Sequence, residues 1–363
     1  MRPPTLRDVA AAASVHIATA SRALNPATRS LVSTSTAERV VRAARSLGYR
    51  PNPIARSLKT ARSDSVGLVI PDLTNPLVPP MVRGAEDVLS PTGYNAWVVN
   101  TDDDPARERT QIHSLRSRQI EGLIVATARL DHPLLEALYE EGVPIVLANR
   151  LLATGHIPSV TADNAAGSAM AVRHLVDLGH TRIAHVAGPQ DLSTGLLRQR
   201  GFLQAVRDHG LSTDPDLVVI CSDWTEEAGA QAFGALLDLG VEVTGVVAAH
   251  DRLALGCYDA LHARGLLCPG DVSVVGFNDM PLMDKMRPSL TTVRVEHYQV
   301  GAEAARLLLD AFREPRRPSR AVLLPPTLVV RGSTGPVPAP PSSKRGQGRV
   351  SAGAAVDVGP VAS

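Results

Sequence analysis

Short apolar runs alternate with segments of helical periodicity from residue 66 onward. The runs form two successive sets, at 66–70, 96–100, 123–126 and 145–148, and then at 183–187, 217–220, 246–249 and 272–277. Apolar strands that alternate with helices are typical of parallel sheets covered on both faces. The pattern therefore predicts an α/β body of two doubly wound parallel-sheet subdomains.

The last part of the body predicts two late strands that cross back between these subdomains. We expect one subdomain to contain about 64–162 with 291–325, and the other 163–290 with 326–333.

Residues 334–363 are rich in Pro, Gly, Ser, Ala and Val and have no leucine heptad. This composition predicts a disordered tail and gives no support for an oligomerising coiled coil.

The first 50 residues have a different pattern, which predicts three short helices. Residues 5–8 have the spacing of a capping box, a second helix is expected over about 17–25, and a capping box at 35–38 precedes a third helix that ends at Gly48. Two short helices joined by a tight turn and backed by a third predict an all-α helix-turn-helix head. A three-helix core without DNA-binding function would explain the same spacing.

The charge is distributed unevenly between head and body. Residues 1–62 contain eleven Lys and Arg but only Asp8 and Glu38 as acids, a net charge of +9, whereas the remainder carries −8. This asymmetry is typical of a nucleic-acid-binding head on an acidic body. A solvated basic tail is the alternative, but it would require disorder in a segment with helical patterning.

Composition and motifs exclude several other classes. No apolar run approaches the ~18 residues of a membrane span, and the N-terminus has no apolar signal segment, so we expect a cytoplasmic protein. The three cysteines, Cys221, Cys257 and Cys268, form no CxxC pair, so neither a disulfide scaffold nor a metal site is expected. No nucleotide-binding or hydrolase motif follows a predicted strand, and we expect neither a cofactor nor an enzyme.

Four segments carry a family resemblance. Residues 5–10 (TLRDVA), 19–25 (TASRALN), 47–52 (LGYRPN) and 55–58 (ARSL) resemble the head of the lactose/galactose-repressor (LacI/GalR) family of transcription regulators. The resemblance continues through the body to about Ser333, and the body is similar to periplasmic sugar-binding proteins. It implies a dimeric regulator, with repression as the expected sense, that binds a pseudo-palindromic operator under the control of a small molecule.

The effector expected from this resemblance is a sugar or a related polyhydroxylated metabolite. A transport-type solute-binding protein would share the body fold and is the alternative reading. Such a protein would need a secretory signal and no basic head, and the sequence meets neither requirement.

The resemblance also implies which head residues contact DNA. Ile17 and Ala18 would face base edges, Arg22 would read a base through its guanidinium, and Thr19 and Ser21 would hold phosphates, although plain surface polarity would also explain the last two. Further DNA contacts are implied at Thr5, Leu6, His16, Asn25 and Tyr49. His16 and Ser14 depart from the family pattern, which commonly has a serine cap and a glycine there.

A hinge helix is expected at residues 51–63, between head and body. The resemblance implies that it becomes ordered on DNA, pairs with its copy in the dimer and contacts DNA through Asn52, Ala55, Arg56, Leu58 and Lys59. Leu58 would enter the minor groove and unstack a base step. A linker in which Leu58 packs on the body is the alternative.

In the body, the resemblance places Leu77, Arg150, Arg198, Trp224 and Asp251 in a cleft between the subdomains. Ligands of open α/β sheets bind beyond the carboxyl ends of the strands, and most of these residues follow a predicted strand. An Asp and Arg pair can clamp vicinal hydroxyls, and an aromatic ring can stack on a sugar or a base. Arg150 could instead pair with an acid across the cleft.

Neighbouring polar residues leave structural alternatives open. Asp163 and Asn164 are expected to cap a helix, Asn278 and Asp279 could form a turn, and His180 is expected to be structural because a helix C-cap and a strand explain its segment. His250 stands where the family pattern usually has Asn.

Overall fold

The computed structural model describes residues 2, 4–25, 28–50, 63–314 and 318–337. The N-terminal part is the predicted helix-turn-helix head, with α1 (Leu6–Ala12), α2 (Ile17–Leu24) and α3 (Thr34–Ser46). A short 3-10 turn, Arg29–Leu31, lies between α2 and α3.

One predicted capping box is present and the other is not. Asp8 N donates to Thr5 Oγ1 at 3.4 Å and Thr5 N donates to Asp8 Oδ2 at 2.7 Å, which confirms the first box. The box predicted at 35–38 is wrong, because α3 begins at Thr34 after the N-cap Ser33 and has no side-chain cap. Residues 33–36 are all Ser or Thr, so the sequence pattern alone does not distinguish the cap position.

The head closes on a small core of alanine and valine. Val9, Ala20, Ala23 and Val40 are almost completely buried there, and their small size lets the helices approach closely. Arg39 Nε also donates to Ala13 O at 3.0 Å, which ties α3 to the end of α1. The opposite face of α2 is consequently left to solvent.

The body begins with a strand–helix alternation that confirms the predicted apolar strands. Its elements are β1 (Ser65–Ile70), α4 (Val78–Leu89), β2 (Asn95–Asn100), α5 (Pro105–Ser117), β3 (Gly122–Val125), α6 (Pro133–Glu140), β4 (Ile145–Ala148) and β5 (Ser159–Ala162). β5 was not predicted, because Ser159 and Thr161 interrupt its apolar pattern although all four of its residues are buried.

The second set of alternating elements also follows the predicted pattern. It contains α7 (Asn164–Asp177), β6 (Ile183–Ala187), α8 (Ser193–Asp208), β7 (Val218–Ile220), α9 (Glu226–Asp238), β8 (Gly245–Ala248), α10 (Asp251–His262), β9 (Ser273–Asn278) and β10 (Thr291–Arg294). Short 3-10 turns, Ser90–Thr92 and Pro215–Leu217, precede β2 and β7.

The chain then returns to the first subdomain and crosses back once more. α11 (His297–Arg313) packs on the first sheet, β11 (Ala321–Leu324) joins that sheet beside β5, and β12 (Thr327–Val329) joins the second sheet. The strand orders are β11-β5-β4-β3-β1-β2 and β12-β10-β9-β8-β6-β7. All pairs are parallel except β10 with β12, so the predicted pair of α/β subdomains is confirmed.

The predicted subdomain boundary at 291 is wrong. β10 (Thr291–Arg294) pairs in parallel with β9 and belongs to the second sheet, so the chain enters the first subdomain only after β10. The three connections between subdomains therefore follow β5, β10 and β11. Sequence periodicity could not locate this switch, because β10 is buried on either assignment and only its pairing partner differs.

The predicted tail also begins too early. Thr334 Oγ1 lies 2.9 Å from His174 Nε2, Gly335 O lies 3.0 Å from His180 Nε2, and Val337 N donates to Leu178 O at 3.1 Å. Residues 334–337 thus pack against the second subdomain. The hydrogen bond between Gly335 O and His180 agrees with the expected structural role of this histidine. Residues 338–363 lie outside the described residues.

Candidate functional site

A cleft lies where the carboxyl ends of the two sheets face each other. The first subdomain and α11 contribute Pro71, Asn75, Leu77, Val78, Met81, Ala126, Asn149, Arg150 and His297, and the second contributes Thr194, Arg198, Trp224, His250 and Asn278. The cavity between them has a volume of about 50 Å³. Ligand pockets usually enclose at least about 300 Å³, so a sugar would need the subdomains to separate or side chains to move.

Arg198 is the most constrained side chain of the cleft. It projects from α8, is 3% exposed, and donates to Asn164 Oδ1 (2.8 Å), Ala249 O (2.6 Å) and Asn278 Oδ1 (3.2 Å). Its guanidinium carbon lies 3.8 Å from the centre of the Phe277 ring. Burial lowers the pKa of Arg198 to about 9, which leaves it charged at neutral pH.

Arg150 lines the cleft from the first subdomain, directly after β4. Its two terminal nitrogens donate to Asp103 Oδ1 and Oδ2 at 2.8 and 3.1 Å. The pairing acid comes from the loop after β2 and so belongs to the same subdomain. Arg129 donates to the Asp103 carbonyl and also pairs with Asp191 of the second subdomain, which links this arginine pair to the far side of the cleft.

Trp224 and Leu77 bring apolar surface to the cleft. The Trp224 ring lies 5.4 Å from the His250 ring and 5.9 Å from the Arg198 guanidinium carbon. Gly188 allows this position, because a Cβ there would lie 2.1 Å from the indole. Leu77 stands at the start of α4 but packs against the core of the second subdomain, so it contacts both sides.

The structure places Asp251 behind the cleft, in contrast to the sequence-based expectation. The side chain is fully buried, Oδ2 accepts from Met280 N at 2.7 Å, and Oδ1 accepts from Thr292 Oγ1 at 2.6 Å. The preceding residue, His250, lines the cleft instead and caps α10 by accepting from Arg252 N at 3.1 Å. Burial raises the pKa of Asp251 to about 7.

Asn278 and His297 are cleft residues that sequence reasoning did not assign. Asn278 Nδ2 and His297 Nε2 are buried and have no hydrogen-bond partner among the described atoms. Asn278 follows a buried strand, and its φ of 110° fits the suspected turn as well as the site. No sequence pattern indicated His297 as a cleft residue, because only the fold brings the start of α11 to the cleft from far along the chain.

Asp163 and Asn164 have different structural roles. Asp163 Oδ1 accepts from Ala166 N at 2.9 Å and caps α7, as expected. Asn164, however, is buried and accepts from Arg198 Nε, so it supports the site and does not serve as the cap.

The head presents a continuous outer face on α2. His16, Ile17, Ala18 and Arg22 are exposed. His16 replaces the usual serine cap but still accepts from Ala18 N, at 3.3 Å. Ser14, where the family commonly has glycine, adopts a φ of 52°.

The other DNA-contact candidates of the head are less exposed. Thr5, Thr19, Ser21 and Asn25 are half-buried, and Leu6 and Tyr49 pack partly against the head core. The hinge candidates Asn52, Ala55, Arg56, Leu58 and Lys59 lie outside the described residues.

Comparison with known proteins decides the family. Residues 5–52 match the model of the bacterial regulatory proteins of the lacI family, and residues 172–334 match a periplasmic binding protein-like domain. The chain is 34% identical to the ribose operon repressor of Halalkalibacterium halodurans, over 91% of this chain and 97% of that protein. The chain belongs to the LacI family of bacterial regulatory proteins.

Other LacI-family members are similar to this protein in sequence or in structure over most of the chain. The transcriptional repressor CytR of Escherichia coli K12 is 35% identical over 92% of this chain and 97% of its own. The lac repressor dimer bound to operator and an anti-inducer superposes with a TM-score of 0.82 at 28% identity, covering 92% and 100% of the two chains. A LacI-family regulator from Enterococcus faecium with bound ribose superposes with a TM-score of 0.65 at 29% identity, and the match covers 75% of this chain and 99% of that chain.

These relatives make the protein a DNA-binding transcription regulator, and the reading as a transport-type binding protein is wrong because the head matches the LacI-family model. In the described residues, no helix is long and apolar enough to span a membrane, and no cluster of three or more His, Cys, Asp or Glu is placed to hold a metal ion.

Proposed function

We propose that the protein represses transcription as a cytoplasmic dimer and that a sugar or related polyhydroxylated metabolite in the cleft controls its binding to a pseudo-palindromic operator. In this proposal the protein has no catalytic role. The observation that carries the proposal is the convergence of Arg198, Asn278 and Trp224 where the two sheets meet. A fixed fork of donors beside an aromatic face suits a ring that bears hydroxyl groups.

The relatives support a sugar as effector. One is named as a ribose operon repressor, and the Enterococcus faecium regulator binds ribose. Ribose is therefore the first compound to test on this chain.

The head would read DNA through the exposed face of α2. We assign base contacts to Ile17, Ala18 and Arg22. The side chain of Arg22 is exposed and has no ion-pair partner among the described residues, which leaves its guanidinium available for a guanine. The other head and hinge candidates would hold phosphates or enter the minor groove.

Effector control would act through the closure of the cleft. Leu130 N donates to Asp191 O at 2.9 Å and Leu151 N donates to Ser193 Oγ at 2.8 Å, so both contacts join the subdomains. A ligand that changes these contacts shifts the equilibrium between open and closed forms by its difference in affinity for them. The first subdomain follows the hinge segment directly in sequence, so its arrangement in a dimer would decide whether two hinges can pair on DNA.

The test is an operator selection from random DNA with the full-length protein, followed by titration of the selected operator with ribose and other sugars. We expect a palindromic consensus and a change in operator affinity with at least one sugar. Failure to enrich any palindromic sequence would refute the proposed operator binding.

Ligand entry can be followed separately by fluorescence. The sequence has only two tryptophans, so Trp97→Phe leaves Trp224 as the single reporter of the cleft. An effector that binds there should change the emission of this variant, whereas Trp224→Phe should remove that signal. A response retained in Trp224→Phe would place the ligand elsewhere.

A further inference from the structure

We propose that the effector carries a negative charge, as a carboxylate or phosphate group on a polyhydroxylated molecule, and that this group is held beside Arg198. The inference rests on the proposed function, since it concerns the ligand of the same cleft. It depends on the charge balance of the cleft, the surroundings of Arg198 and two unused polar atoms.

The cleft has cationic side chains and no acidic ones. Arg150 and Arg198 both line it, and no Asp or Glu of the described residues does. Acids that neighbour the lining residues in sequence or pair with them have other partners. Asp103 pairs with Arg150, Asp191 with Arg129, and Asp279 with Arg294 and Arg331. Asp163 caps α7, Asp72 accepts from Thr74, and Asp223 accepts from Trp224 N. Arg150 is therefore neutralised by its own subdomain, whereas Arg198 is not paired with any of these acids.

Every hydrogen-bond acceptor recorded for Arg198 is neutral. The guanidinium donates to two amide oxygens and one backbone carbonyl, and its faces meet the rings of Phe277 and Trp224. The three hydrogen bonds use three of its five N–H donors and do not cancel its charge. A buried charge without an opposite charge is costly, so an anion bound beside Arg198 would gain from a pairing that the protein itself does not supply.

Within the described ranges, Asp251 is the buried carboxylate whose charge acts on Arg198, and it offers only partial compensation. Its two oxygens are occupied by Met280 N and Thr292 Oγ1, and it makes no ion pair with Arg198. Because burial raises the pKa of Asp251 to about 7, its negative charge is less favoured near neutral pH than that of an ordinary carboxylate. The positive charge of Arg198 is therefore only partly compensated.

Two unused polar atoms add to the case for an anion. Asn278 Nδ2 is a buried donor without a partner, and it belongs to the residue whose Oδ1 accepts from Arg198. His297 Nε2 is also buried and unpartnered; burial lowers the pKa of His297 to about 3, so the ring is neutral and Nε2 is a donor in the tautomer that carries its proton there. His297 is the first residue of the long helix α11. The positive end of a helix dipole favours an anion at that position.

The test compares matched neutral and anionic ligands on the full-length protein by isothermal titration calorimetry. The pairs are ribose with ribose 5-phosphate, glucose with gluconate, and galactose with galacturonate, and inorganic phosphate is run alone. We expect at least one anionic member to bind at least about tenfold more tightly than its neutral parent. The member that binds distinguishes a carboxylate from a phosphate ester.

A substitution at Asn278 tests the charge balance directly. Asn278→Asp places a carboxylate of nearly the same shape beside Arg198, so it should weaken the anionic ligand at least about tenfold more than it weakens the neutral parent. Asn95→Asp makes the same change on the exposed edge strand β2 and should alter neither affinity. Circular dichroism of both variants verifies that they fold.

The inference is overturned if a neutral sugar binds and its anionic partner does not, or if no anionic member binds. Equal weakening of the neutral parent by Asn278→Asp would also overturn it. In the first case, operator release by the neutral sugar would leave the proposed function intact. Loss of palindromic operator binding in the absence of any ligand would instead refute the proposed function.

Discussion

At the residue scale, Arg198 joins parts of the chain that are far apart in sequence. Its three donors reach Asn164 on α7, the carbonyl that follows β8 and Asn278 at the end of β9. A planar fork can serve three acceptors in fixed directions, which a single ammonium on a flexible stem cannot do. Arg198 therefore shapes the cleft in addition to contributing its charge.

Arg198→Lys tests this geometric role. We expect the free energy of unfolding to fall by about 2–3 kcal/mol, because buried acceptors lose charge-assisted hydrogen bonds, and effector affinity to fall at least about tenfold. Urea unfolding and calorimetric titration measure the two effects. Arg200→Lys on the exposed face of the same helix is the control and should change neither quantity. Wild-type effector affinity in Arg198→Lys would contradict the assignment.

Asp251 makes the free energy of unfolding decrease as the pH rises, which is the opposite of the usual effect of a carboxyl group. Its pKa is raised from 3.8 to about 7 by burial, so the folded state holds the proton more tightly than the unfolded state. The contribution of Asp251 to the free energy of unfolding therefore decreases as the pH rises from about 4 to about 7. His185, whose pKa burial lowers to about 4, acts in the opposite direction.

Comparison with Asp251→Asn isolates this effect, because the histidine contributions are common to both proteins. We expect the variant to gain stability relative to wild type between about pH 5 and about pH 7.5, as measured by urea unfolding. Asp259→Asn, exposed on the same helix α10, is the matched control for the Asp-to-Asn change itself. A constant difference between Asp251→Asn and wild type would mean that Asp251 has an ordinary pKa.

At the scale of elements, the packing of α4 on α11 sets the first-subdomain wall of the cleft. The two helices approach through glycines: a Cβ at Gly84 would lie 2.0 Å from Tyr298 O, and one at Gly301 would lie 1.8 Å from Met81 O. These contacts are with backbone, so a methyl group there must move a helix. Leu77 and His297, at the starts of these helices, would move with them.

Gly84→Ala should therefore destabilise the protein by about 1–3 kcal/mol through overpacking and weaken effector binding. Thermal unfolding and Trp224 fluorescence measure the two effects. Gly234→Ala, in α9, would meet only the guanidinium of Arg264, at 3.1 Å, which is held by Asp238, Ala260 O and Gly234 O, so this side chain has to shift by a few tenths of an ångström but no helix has to move. It should destabilise the protein less than Gly84→Ala does. Equal effects of the two substitutions would exclude the close-packing argument.

The C-terminal segment 334–337 is a second element with a measurable role. It hydrogen-bonds to His174, His180 and Ser273. Deleting 338–363 should leave stability and operator binding unchanged, because that segment has no apolar periodicity to bury. Deleting 334–363 should lower the midpoint of thermal unfolding, since several buried partners lose their hydrogen bonds. Equal midpoints for the two deletions would show that these contacts contribute nothing.

Sequence patterns predicted the elements well and their connections less well. Apolar periodicity identified the strands with continuous apolar runs, but β5 was missed because Ser159 and Thr161 are polar and buried. The allocation of β10 failed because pairing is a tertiary property that composition does not encode. In the cleft, Arg198, Arg150, Trp224 and Leu77 were found through the family resemblance, whereas Asn278 and His297 required the fold.

At the scale of the whole molecule, head and body bury separate cores. The head core is formed by side chains from Leu6 to Tyr49, and the cleft is formed entirely by residues from Pro71 onward. Two sites that share no residue can influence each other only through a change of state in the protein. If effector alters operator affinity by some factor, operator must alter effector affinity by the same factor.

This reciprocity provides the last prediction. Effector affinity is measured by calorimetry for the full-length protein alone, with saturating selected operator and with scrambled DNA of equal length. We expect operator to change the affinity by the factor obtained from operator titrations with and without effector, typically about 5–150-fold, and scrambled DNA to change it little. The body alone, residues 63–363, should bind effector with the affinity of the DNA-free protein, because the cleft lacks head residues. Effector affinity that operator leaves unchanged in the full-length protein would separate the two sites and refute control through the cleft.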